Sequence, residues 1–543
     1  MAPLADPFRR VLSNFAACAR SALGDARDAE EADTVRALEA SVERFSQRHV
    51  DPARIDADAR IDPAVLEAAK GLGLFGMTIP QEFGGAGLSM KAACRVMRCL
   101  GRHNASVGVS IGLHNGLGLR GLIHLGTPEQ KQRYLPDLAT GRLVACFCAT
   151  ESGAGSEIAA IRTSAVEDGD QFVLSGEKIY VTNGGFADLA TVPARTPGLG
   201  GSRRGLTLFL VPLNLAGVSR GREEHKLGIK GSSTCTLHFD EVRLPRSAIL
   251  GEVSRGLDHL AHILEWGRTL MAAGCVGLMQ SALEKTLFQV TNRKQFGRVI
   301  GEFGMVREKI AAMRGRLHAL ESAMRLSTAL DEEGPGGIPQ ESLVLKLACT
   351  EWAWAAADEA VQLHGGSGYI EETGVARLLR DIRITRIFEG ANEVLRFHLA
   401  SAAFAWDAGE LAGLRLAPLM DAALRPEAER FDGLLQSLAT ALAEQKKAHG
   451  IKVFVRQMAQ RRVASAVASL YLSLCVLARA QGEIAAGSAD DALLDLTRHV
   501  LGELAAAAQY ELSSFDEGRD GLASRVAARE CERAGCALKE KTA

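Results

Sequence analysis

The run Arg386 to Glu393 reads Arg-Ile-Phe-Glu-Gly-Ala-Asn-Glu and sets Glu389 between two bulky apolar residues and a glycine. A carboxylate in such surroundings is partly desolvated, its pKa rises, and it becomes suited to abstracting a proton near neutrality. Far upstream, Phe147 to Glu157 reads Phe-Cys-Ala-Thr-Glu-Ser-Gly-Ala-Gly-Ser-Glu. Its glycines and hydroxyls expose backbone N–H groups to anything lying close by, which suits a flat, polar cofactor. Tyr180, Val181 and Thr182 follow the turn at Ser175 to Glu177 and end a short strand. They offer an aromatic face and a hydroxyl at i and i+2 on one side, although an ordinary cross-strand pair reads the same way.

Other patterns carry less. Gly116, Gly118 and Gly121 satisfy a dinucleotide-binding spacing, but their flanks read as helix, and that fingerprint needs a preceding strand. His259, His262 and Glu265 sit three apart and could share a helix face as metal ligands, yet that spacing is also that of an ordinary helix surface, so no metal site is expected. From Lys446 to Arg462 there are six basic and no acidic residues, interleaved with Ile451, Val453, Phe454 and Met458. A solvated helix face beside a bundle core explains this, as does a basic amphipathic surface for anionic lipid.

The elements that must position these residues fall into blocks. Helical spacing begins at Val35, Leu38, Val42 and Phe45 with Asp33 or Thr34 as N-cap, and continues to about Leu138. The turn at Glu82 to Gly87 and the start signal Thr127-Pro128 interrupt it. From Leu143 to about Leu250 the period becomes two, as in Leu206, Leu208 and Leu210 against Thr207 and Phe209. The Pro193 to Gly205 loop is glycine-rich. Helical spacing returns after Gly256, breaks at Gly334 to Pro339, and resumes to about Ala405, with a further helical segment from Asp407. The fold class is therefore mainly α with a central β domain. Its expected parts are an extension at 1–32, a helical domain at 33–140, a β domain at 141–255, a helical domain at 256–405 and an added helical domain at 406–543.

Composition bounds the function. The 63 basic and 65 acidic residues leave a net charge of −2, so no sequence-wide field draws in nucleic acid. The eleven cysteines are scattered without zinc or redox spacing, which points to a reducing compartment and a cytoplasmic location. The apolar stretch from Val463 to Ala478 is short for a membrane span and carries three serines.

Taken together, these stretches resemble the acyl-CoA dehydrogenase family from about Asp33 to Ala405. Supporting runs are Ile79 to Gly87, Gly228 to Pro245, Arg293 to Gly297 and Gln362 to Tyr369. The resemblance implies a helical domain, a β-barrel-like middle domain and a four-helix-bundle domain, and it implies FAD as cofactor. By this likeness Phe147, Ala149, Thr150, Gly155 and Ser156 lie along the flavin, while Tyr180 and Thr182 cover its ring. Arg293, Phe296, Gln362 and Gly366 match positions that hold the FAD of a neighbouring subunit, implying a homodimer. Glu389 matches the base that removes the α-proton of an acyl-CoA, its own N–H polarising the thioester carbonyl, with Gly390 beside it. Ser156 lies at the thioester end and Arg268 near the CoA adenine. Electrons would pass to electron-transfer flavoprotein.

Within the family the wording and the long tail are most like the very-long-chain enzymes, whose C-terminal domain implies membrane contact through 445–478. Gly108 and Gly112 lie at i and i+4 on a helix beside the acyl pocket and leave its floor free of side chains, or else they serve helix packing. Tyr180 stands where tryptophan is common, Glu157 for aspartate, Ser152 for proline and Ala391 for threonine. The first of these keeps acyl-CoA oxidase chemistry open, and an assembly-factor relative is the alternative from a different class.

Overall fold

The computed structural model describes residues 6–24, 26–199, 205–332 and 337–535. Most of the glycine-rich part of the Pro193 to Gly205 loop, residues Gly334 to Gly336 of the expected break, and Cys536 lie outside the described residues. The chain divides into two compact units, Gly24–Ala391 and Met1–Leu23 with Asn392–Ala543. The division falls at Asn392, inside the segment that periodicity assigned to the helical domain at 256–405.

In the larger unit, helices enclose a sheet. The first long helix, Ala29–His49, starts before the expected Asp33 because Asp28 caps it, its carboxylate accepting from Glu31 N at 2.9 Å. The Thr127-Pro128 signal opens the Pro128–Ala139 helix with a full capping box. Gln130 of that box also donates to Ser247 O and Ile249 O, tying the helix to the sheet.

The strands are β1 (Ala145–Phe147), β2 (Ser164–Asp168), β3 (Gln171–Thr182), β4 (Leu189–Arg195), β5 (Leu206–Pro212), β6 (Val218–Glu223), β7 (Thr234–Pro245) and β8 (Ile249–Leu250). They form one mixed sheet in the order β6-β7-β3-β2-β4-β5-β8, with β1 pairing parallel to β4. One face packs on itself through Phe172, Phe209, Leu237 and Val242. The other meets Leu119, Leu122, Leu135 and Ile263 from the helices. Coverage on both faces explains why β5 is buried from Leu206 to Val211 although its sequence alternates: Thr207 satisfies its hydroxyl against Thr196 at 2.8 Å.

Three long helices follow, Gly256–Asn292, Gly304–Glu332 and Pro339–His364, and they pack together with Met90–His103. The Met90–His103 crossing is unusually close. A Cβ at Gly101 would stand 2.3 Å from Gly274 O, so only glycine permits it.

The smaller unit joins residues from both ends of the chain. Phe8, on the Pro7–Leu12 helix, is surrounded by Trp406, Phe431 and Tyr471, with ring centroids 5.9 to 6.4 Å away. The first helices are therefore core elements of this unit, and not a loose extension. The helix Gln457–Ala485 is long and apolar enough to cross a membrane, but 83% of its most apolar window is buried within the protein. That burial is what a core helix of a helical bundle shows.

Candidate active site

Glu389 lies in a two-residue turn with positive φ, +55° at Glu389 and +98° at Gly390. A non-glycine residue in that region costs about 1–3 kcal/mol, and such strain persists where surroundings over-determine it. Two cations supply the determination. Arg268 donates from Nε to the Glu389 carbonyl at 3.1 Å, and Lys346 donates from Nζ to the Gly390 carbonyl at 2.8 Å.

The carboxylate itself points into protein. Its Oε2 is shielded and has no hydrogen-bond partner. Burial pushes the Glu389 carboxyl up to about 7, a rise that the Arg268 and Lys346 charges partly oppose. The immediate sequence does not provide that burial, since Ile387 is 52% exposed. Leu117 and Gly267 provide it: a Cβ on Gly267 would lie 2.3 Å from Leu117 Cδ2 and 2.7 Å from Glu389 Oε2.

Leu117 is aimed there by a π-helical turn, His114–Gly118, between the helices Ala105–Leu113 and Leu119–Leu125. Such turns widen a helix locally and recur at functional sites. No strand precedes Gly116, Gly118 and Gly121; the first two belong to this turn and Gly121 to the helix that follows it. His114 Nδ1 accepts from Ala145 N at 2.9 Å, which fixes β1 and the start of the Phe147 to Glu157 loop beside the turn.

That loop is anchored by a buried ion pair absent from the sequence reading. Lys178 on β3 is buried and meets Glu151 at 2.8 Å, and the same carboxylate accepts from the backbone N of Arg162 and Thr163. Thr150 O accepts from Ile179 N at 2.9 Å. Phe147 is buried, Ala149 and Thr150 are half-buried, and Gly155 and Ser156 are exposed. Next to them β3 bulges between Lys178 and Val181. The bulge turns Tyr180 outward at φ +57°, leaving it 64% exposed, with Thr182 half-buried on the same side. An exposed ring, a hydroxyl and a loop with open backbone make a surface that fits a flat heteroaromatic group.

Other expected residues separate. Arg293, Phe296, Gln362 and Gly366 are all exposed, Phe296 at φ +50° on the hairpin Lys294–Gln295/Arg298–Val299. Arg268, expected near the CoA adenine, sits at the carbonyl of Glu389 instead. The adenine and the thioester are opposite ends of CoA, so the two expectations, Arg268 at the adenine and Glu389 at the thioester, do not fit together. Gly108 faces the backbone of Gly101 at ordinary contact distance, and the space beside Gly112 holds the end of Met97. Both glycines thus look toward the Met90–His103 helix.

His259, His262 and Glu265 go to different partners: Glu252 N, the His124 ring and Ile338 N, respectively. In the basic segment, Lys446 donates to Trp406 O while Arg461 and Arg462 pair with Glu511 and Asp520. Ile451, Val455 and Met458 are exposed.

Gly267, Leu117, Lys178 and Lys346 were missed. A lysine amid Leu343, Val344, Leu345 and Leu347 was a readable signal for the last, as was a charge on an inward position of β3 for Lys178.

Comparison with known proteins adds three domain matches: acyl-CoA dehydrogenase N-terminal domain at 32–142, middle domain at 146–242 and C-terminal domain at 254–429. The chain is 40% identical over 391 residues to mouse very long-chain specific acyl-CoA dehydrogenase, a match spanning 71% of this chain and 60% of that protein. It is 35% identical over 496 residues to the human protein of the same name, spanning 84% and 76% of the two chains. Among solved structures, an acyl-CoA dehydrogenase complexed with FAD from Bacillus anthracis aligns with a TM-score of 0.79 at 26% identity, covering 89% of this chain and 88% of that one.

Proposed function

Because this chain belongs to the acyl-CoA dehydrogenase family, we propose that it is an FAD-dependent dehydrogenase converting long or very-long-chain acyl-CoA to trans-2-enoyl-CoA. The observation that carries the reading is Glu389: a shielded carboxylate without a partner, held in a strained turn, with its pKa raised to about 7 by burial. Such a group is poised to take a weakly acidic proton at neutral pH.

In this reading Phe147, Ala149, Thr150, Gly155, Ser156, Tyr180 and Thr182 hold FAD. When bound, FAD supplies the acceptor for the hydride that leaves the β-carbon. Glu389 removes the pro-R α-proton, and its backbone N–H stabilises the enolate that develops at the thioester oxygen. Closure of the site by the acyl chain excludes water from Glu389 and strengthens that interaction. Ser156 lies at the thioester end.

The exposed Arg293, Phe296, Gln362 and Gly366 support a homodimer in which each chain completes its neighbour's FAD site. The mouse and human relatives support the longer acyl chains. Electron-transfer flavoprotein is the proposed acceptor. The exposed Ile451, Val455 and Met458 beside Lys452 and Arg456 support peripheral membrane contact by an otherwise cytoplasmic enzyme.

Anaerobic mixing of the purified protein with palmitoyl-CoA tests the reading. Absorbance at about 450 nm from the oxidised flavin is expected to bleach within the dead time of turnover. A protein with no such band, or one that does not bleach, is the scaffold relative, and rapid peroxide formation under air marks an oxidase.

A further inference from the structure

The turn that carries Glu389 has two consecutive carbonyls, and each is held by a cation from a different helix. Arg268 comes from Gly256–Asn292 and Lys346 from Pro339–His364. Lys346 is 0% exposed and lies within an otherwise apolar stretch. Packing alone does not call for an ammonium there, because an unbranched methionine fills similar space without the cost of burying a charge. The turn does call for one. Glu389 and Gly390 both have positive φ, between the short helix Ile384–Arg386 and the helix that starts at Asn392. Neither helix's hydrogen-bond ladder runs through these two peptides.

We propose that Lys346 is a positioning residue for the reaction: by holding the Gly390 carbonyl it keeps the Glu389 turn left-handed and the carboxylate aimed at the gap left by Gly267. This rests on Glu389 being the base. Lys346 does not touch reacting atoms and acts through the peptide it grips. Its charge has a second consequence, since a cation near a carboxylate favours the ionised form. The charged and titratable groups around Lys346 are Glu389, Cys275, Arg268 and Glu351. Glu351 is engaged at 2.9 Å by Arg386, so the Lys346 and Arg268 charges act chiefly on Glu389.

The test uses Lys346→Met and Lys346→Gln in the full-length, FAD-loaded protein, with two readouts. The first is hydrogen–deuterium exchange of peptides spanning 384–391, and the second is the pH profile of flavin reduction by palmitoyl-CoA. In Lys346→Met, exchange in 384–391 is expected to accelerate at least tenfold while β-domain peptides are unchanged. Its kcat should fall at least tenfold with KM within about twofold, and the apparent pKa of the profile should climb by about one pH unit. Lys346→Gln, which can still donate to Gly390 O, should recover most of the exchange protection and part of kcat while leaving the profile displaced.

Parental exchange at 384–391 in Lys346→Met overturns the proposal, as does a parental kcat with a parental pH profile. If the methionine variant does not fold, an unmoved pH profile in Lys346→Gln overturns it alone. Failure of the base assignment looks different: Glu389→Gln would then turn over like the parent, whatever the exchange data show.

Discussion

Replacing Glu389 by glutamine removes the ionisable group and keeps its shape, so it separates the catalytic and the energetic consequences of burying a carboxylate. Burial lifts this carboxyl from 4.5 to about 7, which corresponds to roughly 3 kcal/mol at about 1.4 kcal/mol per pH unit. The folded state binds the proton more tightly than the unfolded chain. Folding therefore bears no penalty from this group below about pH 4.5, accumulates the penalty as pH rises toward 7, and bears it in full above. Glu389→Gln is expected to exceed the parent by less than about 1 kcal/mol in denaturant unfolding of the holoenzyme near pH 5. Near pH 8 it should exceed the parent by up to roughly 3 kcal/mol, an upper bound since the residue is only half-buried as a whole. Catalysis moves the other way. Loss of the proposed base should lower kcat for palmitoyl-CoA by at least about a thousandfold, within the range typical of general bases. The parent's kcat/KM should rise about tenfold per pH unit up to about 7 and level off above it. A glutamine variant with more than a tenth of parental turnover, or with the same stability increment at both pH values, would refute the argument.

Gly267→Ala puts a Cβ 2.7 Å from Glu389 Oε2 and 2.3 Å from Leu117 Cδ2. Displacing the proposed base should cut kcat about ten- to a hundredfold, seen as slower bleaching at unchanged FAD content. Lys178→Met leaves Glu151 buried without its cation and should destabilise the holoenzyme by about 3–5 kcal/mol in urea unfolding; an unchanged midpoint would show that the pair does not anchor the loop. Gly112→Phe must displace Met97, whose Cε lies 2.6 Å from the Cβ position, and should lower palmitoyl-CoA and hexanoyl-CoA turnover by similar factors. A loss at least about tenfold greater for palmitoyl-CoA would show that Gly112 borders the acyl chain and does not serve helix packing alone.

Local signals in the chain located the elements well where they were local in origin. Thr127 and Pro128 marked a helix start because the capping box is complete within four residues. Residues Asp33 and Thr34 did not, because the competing cap at Asp28 lies just upstream and closes on Glu31 N. The alternation in β5 correctly indicated a strand, but both of its faces are covered: Leu208 and Leu210 meet the helices, while Phe209 packs within the sheet's own core and Thr207 is paired with Thr196. The early residues looked like a separate extension, since nothing near Phe8 in sequence shows that Trp406 and Tyr471 enclose it.

At the site, residue types and order singled out the carboxylate, the glycine-rich loop and the Tyr180 strand as candidates, because chemical identity is a property of the chain alone. The tertiary structure decided what those groups experience. Glu389 is desolvated by Leu117 and Gly267, residues more than a hundred positions away, and held by Arg268 and Lys346 from two other helices. Arg268 consequently stands at the Glu389 carbonyl, a place its sequence neighbours do not reveal. Desolvation and charge act through space at a few ångströms, so a group's pKa is set by whatever folding brings beside it, and sequence neighbours such as the exposed Ile387 count only if they share that space.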